Sequence, residues 1–263
     1  MPRLLFFDID GTLITDDFKI PDSVKPALMK ARENDCLIFI NTGRTLCNVD
    51  PALKGIPIDG YVFGCGTRII ASGKTLRELE YDHETTMKIL KIFRKSPVPT
   101  VFECDTGLYY DEILTDDDMI PAFRGFSDAR GLTRFTSGDD QEFRAVKMFC
   151  KLKPDEKEGL LRNLKEGGFS YYAIDRGRGG FEIVPEGCSK ADGIDVVRGY
   201  YGTDLKDCYV FGDSNNDLSM LRHVPNSIAM GQAPDSVKEC CSLVTDTPEN
   251  DGIAKALKKL GLI

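Results

Sequence analysis

Residues Leu4 to Phe7 form an apolar run that stops on a carboxylate, Asp8, and similar short apolar runs return at Leu37 to Ile40 and at Tyr209 to Phe211. Runs of three or four residues without a polar break suit strands buried on both faces, since only a sheet covered on two sides accepts an apolar side chain at every position. A helix is expected between the first two runs, from about Ser23 to Asn34. Asp22 and Ser23 are its cap candidates, Pro26 falls in its first turn, and Val24, Ala27, Leu28 and Ala31 make one apolar face. A short helix over Asn48 to Leu53 and a strand over Tyr61 to Phe63 continue the alternation, which argues for a parallel sheet of βαβ units.

The pattern changes after Gly64. Arg68 to Ala71 and Lys74 to Arg77 flank Ser72-Gly73, a hairpin signal foreign to a purely parallel sheet. A helix around Thr85 to Phe93 and strands around Val101 to Cys104 and Ala145 to Lys151 are expected next. The acidic stretch Asp116 to Asp118 reads as a solvated loop or helix start. Asp155 to Glu166 reads as a helix with Asp155 and Glu158 at capping-box spacing and Leu160, Leu161 and Leu164 facing inward. Phe169 to Ile174 and Phe181 to Val184 read as strands joined by a glycine-rich hairpin turn, Arg176 to Gly180. From Ser189 the βα alternation returns, with a helix over Lys190 to Tyr200, and lasts to the C-terminus. The expected architecture is α/β, with a Rossmann-like three-layer parallel-sheet core from residues 1–80 and 186–263 and an inserted α/β cap over 81–185.

The 42 acids outnumber the 34 bases, for a net charge of -8, which disfavours nucleic acid as the main partner because that affinity rests on neutralising phosphates. The longest apolar runs fall far short of the roughly 20 residues that cross a bilayer. Asp8 and Asp10 interrupt the first apolar run before it could serve as a signal-peptide core. Nine cysteines, none at Cys-x-x-Cys spacing, read as reduced and mostly buried thiols in a cytoplasmic protein. His83 reads as a surface residue near a helix start and His223 as a helix-end residue suited to the local dipole.

Four segments sit where expected strands end or helices begin, the edge at which open α/β sheets bind ligands: Asp8 to Leu13 (DIDGTL), Asn41 to Arg44 (NTGR), Lys190, and Gly212 to Asp217 (GDSNND). Asp8 and Asp10 lie two apart, so both can face one site, where two carboxylates need a cation or a shared proton. Asp213 supplies a further oxygen, with Asp217 beside it, and an all-oxygen set suits Mg2+. On a phosphate ester, Asp8 could attack phosphorus to form an aspartyl-phosphate, and Asp10 could act as general acid and base. The Thr42 hydroxyl and the Gly43 amide can donate to phosphoryl oxygens, and Lys190 adds positive charge where the transition state needs it. Taken singly, each of these residues also fits a cap or surface role.

In order and type, DIDGTL, the Thr-Gly-Arg segment, the lone lysine before a helix, and GDSNND resemble the four motifs of the haloacid dehalogenase superfamily phosphohydrolases. The insert, together with FEIVPEGCSKADGI, AMGQA and DTPENDGI, resembles the Cof-type branch, and the likeness spans nearly the whole chain. The resemblance implies Mg2+ held by the Asp8 carboxylate, the Asp10 carbonyl and Asp213, with Ser214 near it and Asp217 behind. It implies a phosphate held by Ile9, Thr42, Gly43, Lys190 and Asn216, and a small phosphorylated metabolite, first a hexose phosphate, as substrate. Two positions depart from the pattern: Asn41 replaces a small residue, and Cys65 replaces an asparagine that can reach the substrate side. Cys65 reads as a small buried hydrophobe.

A single helix fills the interval between Asp10 and Asn41, so the insert over 81–185 is the expected lid that chooses the leaving group. Within it, Arg176 and Arg178 are candidates by charge alone. A phosphotransferase or mutase would use the same motifs, and a binding protein for phosphorylated metabolites with residual activity is the reading from outside the enzymes.

Overall fold

The computed structural model describes residues 1–49, 51–115 and 119–263. The acidic stretch Asp116 to Asp118 lies outside the described residues, as does Asp50. The chain forms two compact units: Met1–Gly43, Val49–Glu78 and Ser189–Ile263 make the first, and Arg44–Asn48 with Leu79–Cys188 the second.

The first unit begins with β1 (Arg3–Phe7), α1 (Val24–Glu33), β2 (Cys36–Asn41), β3 (Gly60–Phe63), β4 (Arg68–Ala71) and β5 (Lys74–Glu78). In the second unit follow α2 (His83–Lys95), β6 (Thr100–Cys104), β7 (Leu108–Tyr110), α3 (Met119–Ala129), β8 (Thr133–Phe135), β9 (Ala145–Lys151), α4 (Pro154–Glu166), β10 (Tyr171–Gly177) and β11 (Gly180–Pro185). The chain then completes the first unit with α5 (Lys190–Tyr201), β12 (Cys208–Gly212), α6 (Leu218–His223), β13 (Asn226–Ala229), α7 (Asp235–Lys238), β14 (Leu243–Val244) and α8 (Gly252–Lys259).

The sheet of the first unit runs β14-β13-β12-β1-β2-β3-β4-β5. It is parallel from β14 to β3 and antiparallel beyond, where the expected hairpin is added at the edge. Ser72 and Gly73 both take positive φ in its turn, which matches the right-handed twist of the flanking strands. The double apolar coating foreseen for β1 has its cause in two layers. Leu5 and Phe7 join α1 and α8 in one cluster, while Leu4 and Phe6 join α5 and α6 in the other. Stacked pairs, Phe7 on Phe211 at 4.5 Å and Phe6 on Phe39 at 5.1 Å, lock β1 to both neighbours. Each fully buried ring contributes roughly 1.5–3 kcal/mol.

This topology sets the position of the site. Phe7 lies level with Phe211 of β12 on one side and with Ile40 of β2 on the other. The chain runs from β1 to β2 in one direction and reaches β12 in the other, so the carboxyl ends of these strands open at the point where strand order reverses. Asp8, Asn41 and Asp213 leave the sheet there.

The second unit has a sheet ordered β10-β11-β9-β6-β7-β8. Ile89, Leu90 and Phe93 of α2 and Leu160 and Leu164 of α4 pack with Met148 and Ile183. The hairpin expected over Arg176 to Gly180 is present, with its turn narrowed to Arg178-Gly179 between β10 and β11, and Gly177, Arg178 and Gly179 take positive φ. A charged row crosses the same sheet: Lys147 Nζ lies 2.6 Å from Glu103 and 3.6 Å from Glu182, and Arg176 lies 3.2 Å from Glu182.

Several local expectations are corrected. The Ser23 side chain makes no cap bond to α1; its hydroxyl donates instead to Asp251 at 2.6 Å, where α8 begins. In α4 the Lys153 amide donates to Glu156 at 2.7 Å, two residues out of step with the Asp155/Glu158 box. The helix expected over Asn48 to Leu53 is two short 3-10 turns, Leu46–Asn48 and Pro51–Leu53. Strands β7 and β8 escape a period-based reading because three residues show no period, and α3 because Pro121 and Gly125 interrupt its pattern. All nine cysteines are free thiols, six of them buried.

Candidate active site

Asp8 follows β1 directly, and its amide donates to Phe211 O at 3.0 Å, so the sheet ladder carries one step into the site. Carboxylate oxygens of Asp8, Asp213 and Asp217 all lie within 4.8 Å of one another. Two glycines make this approach possible. A Cβ on Gly11 would stand 2.5 Å from Asp213 Oδ2, and one on Gly212 would stand 2.6 Å from Asp217 Cγ.

Lys190, the first residue of α5, is fully buried, and its Nζ lies 2.6 Å from both Asp8 Oδ1 and Asp217 Oδ1. Ser189 caps the helix by accepting from the Asp192 amide at 3.1 Å, which orients the first turn. Asp217 uses its other oxygen to accept the amides of Asp213 at 3.0 Å and Ser214 at 3.1 Å, so one carboxylate folds the loop and pairs the lysine. Thr12 donates to Asp213 Oδ1 at 3.2 Å. The Ser214 hydroxyl donates to Asn216 Oδ1 within the same turn.

The charge balance is uneven, with three carboxylates against one ammonium. Burial pushes the Asp8 carboxyl up to about 7; Lys190 opposes the rise, and the charges of Asp217 and Asp10 add to it. Burial together with Asp217 and Asp8 pushes Asp213 up to about 8. Burial works against the Lys190 ammonium but is outweighed by the carboxylates of Asp217 and Asp8, which raise its pKa. Such a cluster calls for one more positive charge, and an all-oxygen donor set in a tight cradle fits a hard divalent cation.

Other expected residues fall into place unevenly. Thr42, at the end of β2, is buried; its amide donates to Val62 O at 2.9 Å and its carbonyl accepts from Cys65 at 3.0 Å. Gly43 is the last residue of this stretch of the first unit. The Ile9 side chain lies in the core, so only its main chain can face a ligand. Asp10 is exposed and outside the three-carboxylate cluster, although its charge is felt at Asp8. Asn216 is buried. Cys65 is buried in a left-handed conformation (φ 56) between Gly64 and Gly66; asparagine tolerates that region better than most residues.

Asn41 has a task that the sequence reading missed: its Nδ2 donates to Lys190 O at 3.0 Å, tying the end of β2 to the start of α5. No local signal announces this contact, because its partners are 149 positions apart.

The sequence profile of the haloacid dehalogenase-like hydrolases matches residues 5–257. The chain belongs to that family, as a phosphatase. It is 28% identical to YkrA of Bacillus subtilis (strain 168), a protein named as a phosphatase, over 99% of this chain and 98% of that one. It is 25% identical to the HMP-PP phosphatase of Enterobacter sp. (strain 638), over 89% of this chain and 85% of that one. Among solved structures, one described as a HAD subclass IIB sugar phosphatase superposes with a TM-score of 0.82 at 27% identity, covering 99% of this chain and 100% of that one. No helix among the described residues is long and apolar enough to cross a membrane.

Proposed function

We propose that the chain is a Mg2+-dependent phosphomonoesterase for small phosphorylated metabolites, in which Asp8 is the nucleophile and Asp10 the general acid and base. The observation that carries this reading is the buried Lys190 ammonium held 2.6 Å from both Asp8 and Asp217, with Asp213 completing the carboxylate set. Lys190 fixes the Asp8 side chain and favours the ionised form needed for attack, against the burial that raises its pKa. An oxygen of Asp8 bonds to phosphorus as the ester P–O bond breaks, and Asp10 protonates the departing alkoxide. Asp10 then takes a proton from the water that attacks the aspartyl-phosphate, which releases phosphate and restores Asp8. Its exposure suits a group that must exchange protons twice per cycle.

Thr42, Gly43, Asn216 and the Ile9 main chain would hold the phosphoryl oxygens, with Lys190 opposing their charge. Mg2+, held by the carboxylates of Asp8 and Asp213 and the Asp10 carbonyl with Ser214 near, would screen the repulsion between nucleophile and phosphate. Asp217 steadies the Asp213 loop from behind. The second unit is assigned the choice of leaving group, as a cap. Nine free thiols agree with a reducing compartment, the cytoplasm.

A sugar phosphate is the first substrate class, supported by the name of the structural relative. A pyrophosphate ester is the second, supported by the relatives named HMP-PP phosphatases. Phosphate release across phosphorylated sugars, nucleotides and pyrophosphate esters, with and without Mg2+, decides between them. Asp8→Asn is expected to abolish release, by on the order of 10^3-fold or more, with the fold intact. Retained turnover in that variant refutes the nucleophile. An isomeric sugar phosphate formed without release would point to a mutase.

A further inference from the structure

After α7 ends at Lys238 the chain turns toward β14, and in this turn lie two adjacent cysteines, Cys240 and Cys241. Cys240 Sγ donates to Val237 O at 3.1 Å, and Cys241 Sγ donates to the same oxygen at 3.2 Å. Two sulfurs that share one acceptor are held near each other, and the Cys240 thiol acts on that of Cys241. Both residues are partly exposed, whereas Cys36, Cys65, Cys104, Cys150, Cys188 and Cys208 are buried. The turn is also well fixed. Ser242 exchanges hydrogen bonds with Ser227 through the amide and hydroxyl of each, at 3.1 Å.

We propose that Cys240 and Cys241 form a dithiol site for a thiophilic trivalent metalloid of the arsenite class. The choice of ligand follows from the donor count. A tetrahedral divalent ion such as zinc wants four nitrogen or sulfur ligands, and this turn offers two sulfurs. Among the described residues, the three-ligand group that could hold a metal lies at the carboxylates of the active site. A trivalent arsenic that already carries one organic substituent needs only two further ligands, and soft sulfur is its preferred donor.

Condensation needs no oxidant. Two S–As bonds form, two As–O bonds break, and each thiol proton leaves with a hydroxide as water, so the oxidation state of arsenic is unchanged. Burial and the neighbouring Cys240 push the Cys241 thiol up to about 12, so reagents that attack a single thiolate react poorly there at neutral pH. A reagent that engages both thiols gains from the second, intramolecular bond.

The test uses the reduced full-length protein, one equivalent of phenylarsine oxide and intact-mass spectrometry. The expected product carries one phenylarsenic per chain, with two waters lost from the hydrated reagent. A small dithiol strips it, and a monothiol at equal thiol concentration does not. Cys240→Ser and Cys241→Ser are each expected to weaken retention by about 10^2-fold, while Cys47→Ser leaves it unchanged. An adduct that persists in the Cys240→Ser/Cys241→Ser double variant, removal by the monothiol, or no adduct on the folded wild type would overturn the site. Thermal melting of each variant, with the alanine pair as a second set, separates loss of the site from loss of the fold.

Discussion

Lys190 Nζ and Asp8 Oδ1 are 2.6 Å apart, with the lysine side chain wholly removed from solvent and that of Asp8 nearly so. A second bond of the same length joins Lys190 to Asp217, so one ammonium is shared by two buried carboxylates. Removing one partner from such a set leaves charge buried without compensation, which costs far more than a surface pair is worth.

Lys190→Met is therefore expected to lower stability by about 3–5 kcal/mol at neutral pH and to remove activity. The loss should shrink in mild acid, where the raised Asp8 carboxyl takes up a proton. Urea midpoints of wild type and variant at two pH values give the comparison, and a loss independent of pH would contradict the charge argument.

Mg2+ is expected to restore the missing positive charge. A site that binds only in the native state stabilises by mass action, by about 2.7 kcal/mol at a hundredfold excess over Kd. Chelator-treated protein should melt earlier and release no phosphate, and added Mg2+ should reverse both effects. Asp213→Asn should lose the Mg2+-dependent rise in melting temperature; an undiminished rise would remove Asp213 from the metal set.

In the second unit, Asp111 is almost wholly buried and accepts from Arg94 at 2.6 and 3.1 Å, from Thr136 at 2.6 Å and from the Ile113 amide at 3.0 Å. Burial pushes its carboxyl up, but these donors outweigh it and hold the pKa below the ordinary value. The unfolded chain therefore binds this proton more readily. The stabilisation is present above about pH 4 and is lost as pH falls through the lower folded value. Asp111→Asn should cost about 1–3 kcal/mol near neutrality and flatten the acid limb of the stability curve. A parallel acid limb in that variant would assign the pH dependence elsewhere.

Arg130 donates to Asn48 Oδ1 at 2.7 Å and stacks on Phe126 at 5.2 Å. Leu46 N donates to Asp105 at 3.2 Å and Cys47 Sγ to Cys104 O at 3.3 Å, so Arg44–Asn48 is gripped inside the second unit. Gly43 precedes that segment by one peptide bond. Arg130→Ala and Asn48→Ala are each expected to raise KM about tenfold, through misplacement of Thr42 and Gly43, with a smaller change in kcat. Steady-state kinetics of the double variant should show far less than the product of the two effects; a fully multiplicative result would separate the residues.

Asp8, Thr42, Lys190 and Asp213 stand out as candidates without coordinates, because each stands at the end of a short apolar run or the start of a helix, and those signals are local. The buried face of α1, the hairpin at Ser72-Gly73 and the strand β9 were legible for the same reason. The sequence could not say that Asp10 is exposed while Asp8 is buried, although they are two residues apart, since the chain leaves the strand at Phe7 and period-two alternation ends with it. Nor could it show that Asn41 holds the backbone of Lys190, or that Arg44–Asn48 packs with residues of the insert. The sequence determined the chemistry available and the strand ends that carry it. Tertiary structure alone decided which carboxylates share one ammonium, because Asp8 and Asp217 meet Lys190 across 182 and 27 positions, through sheet order and helix packing that no local pattern encodes.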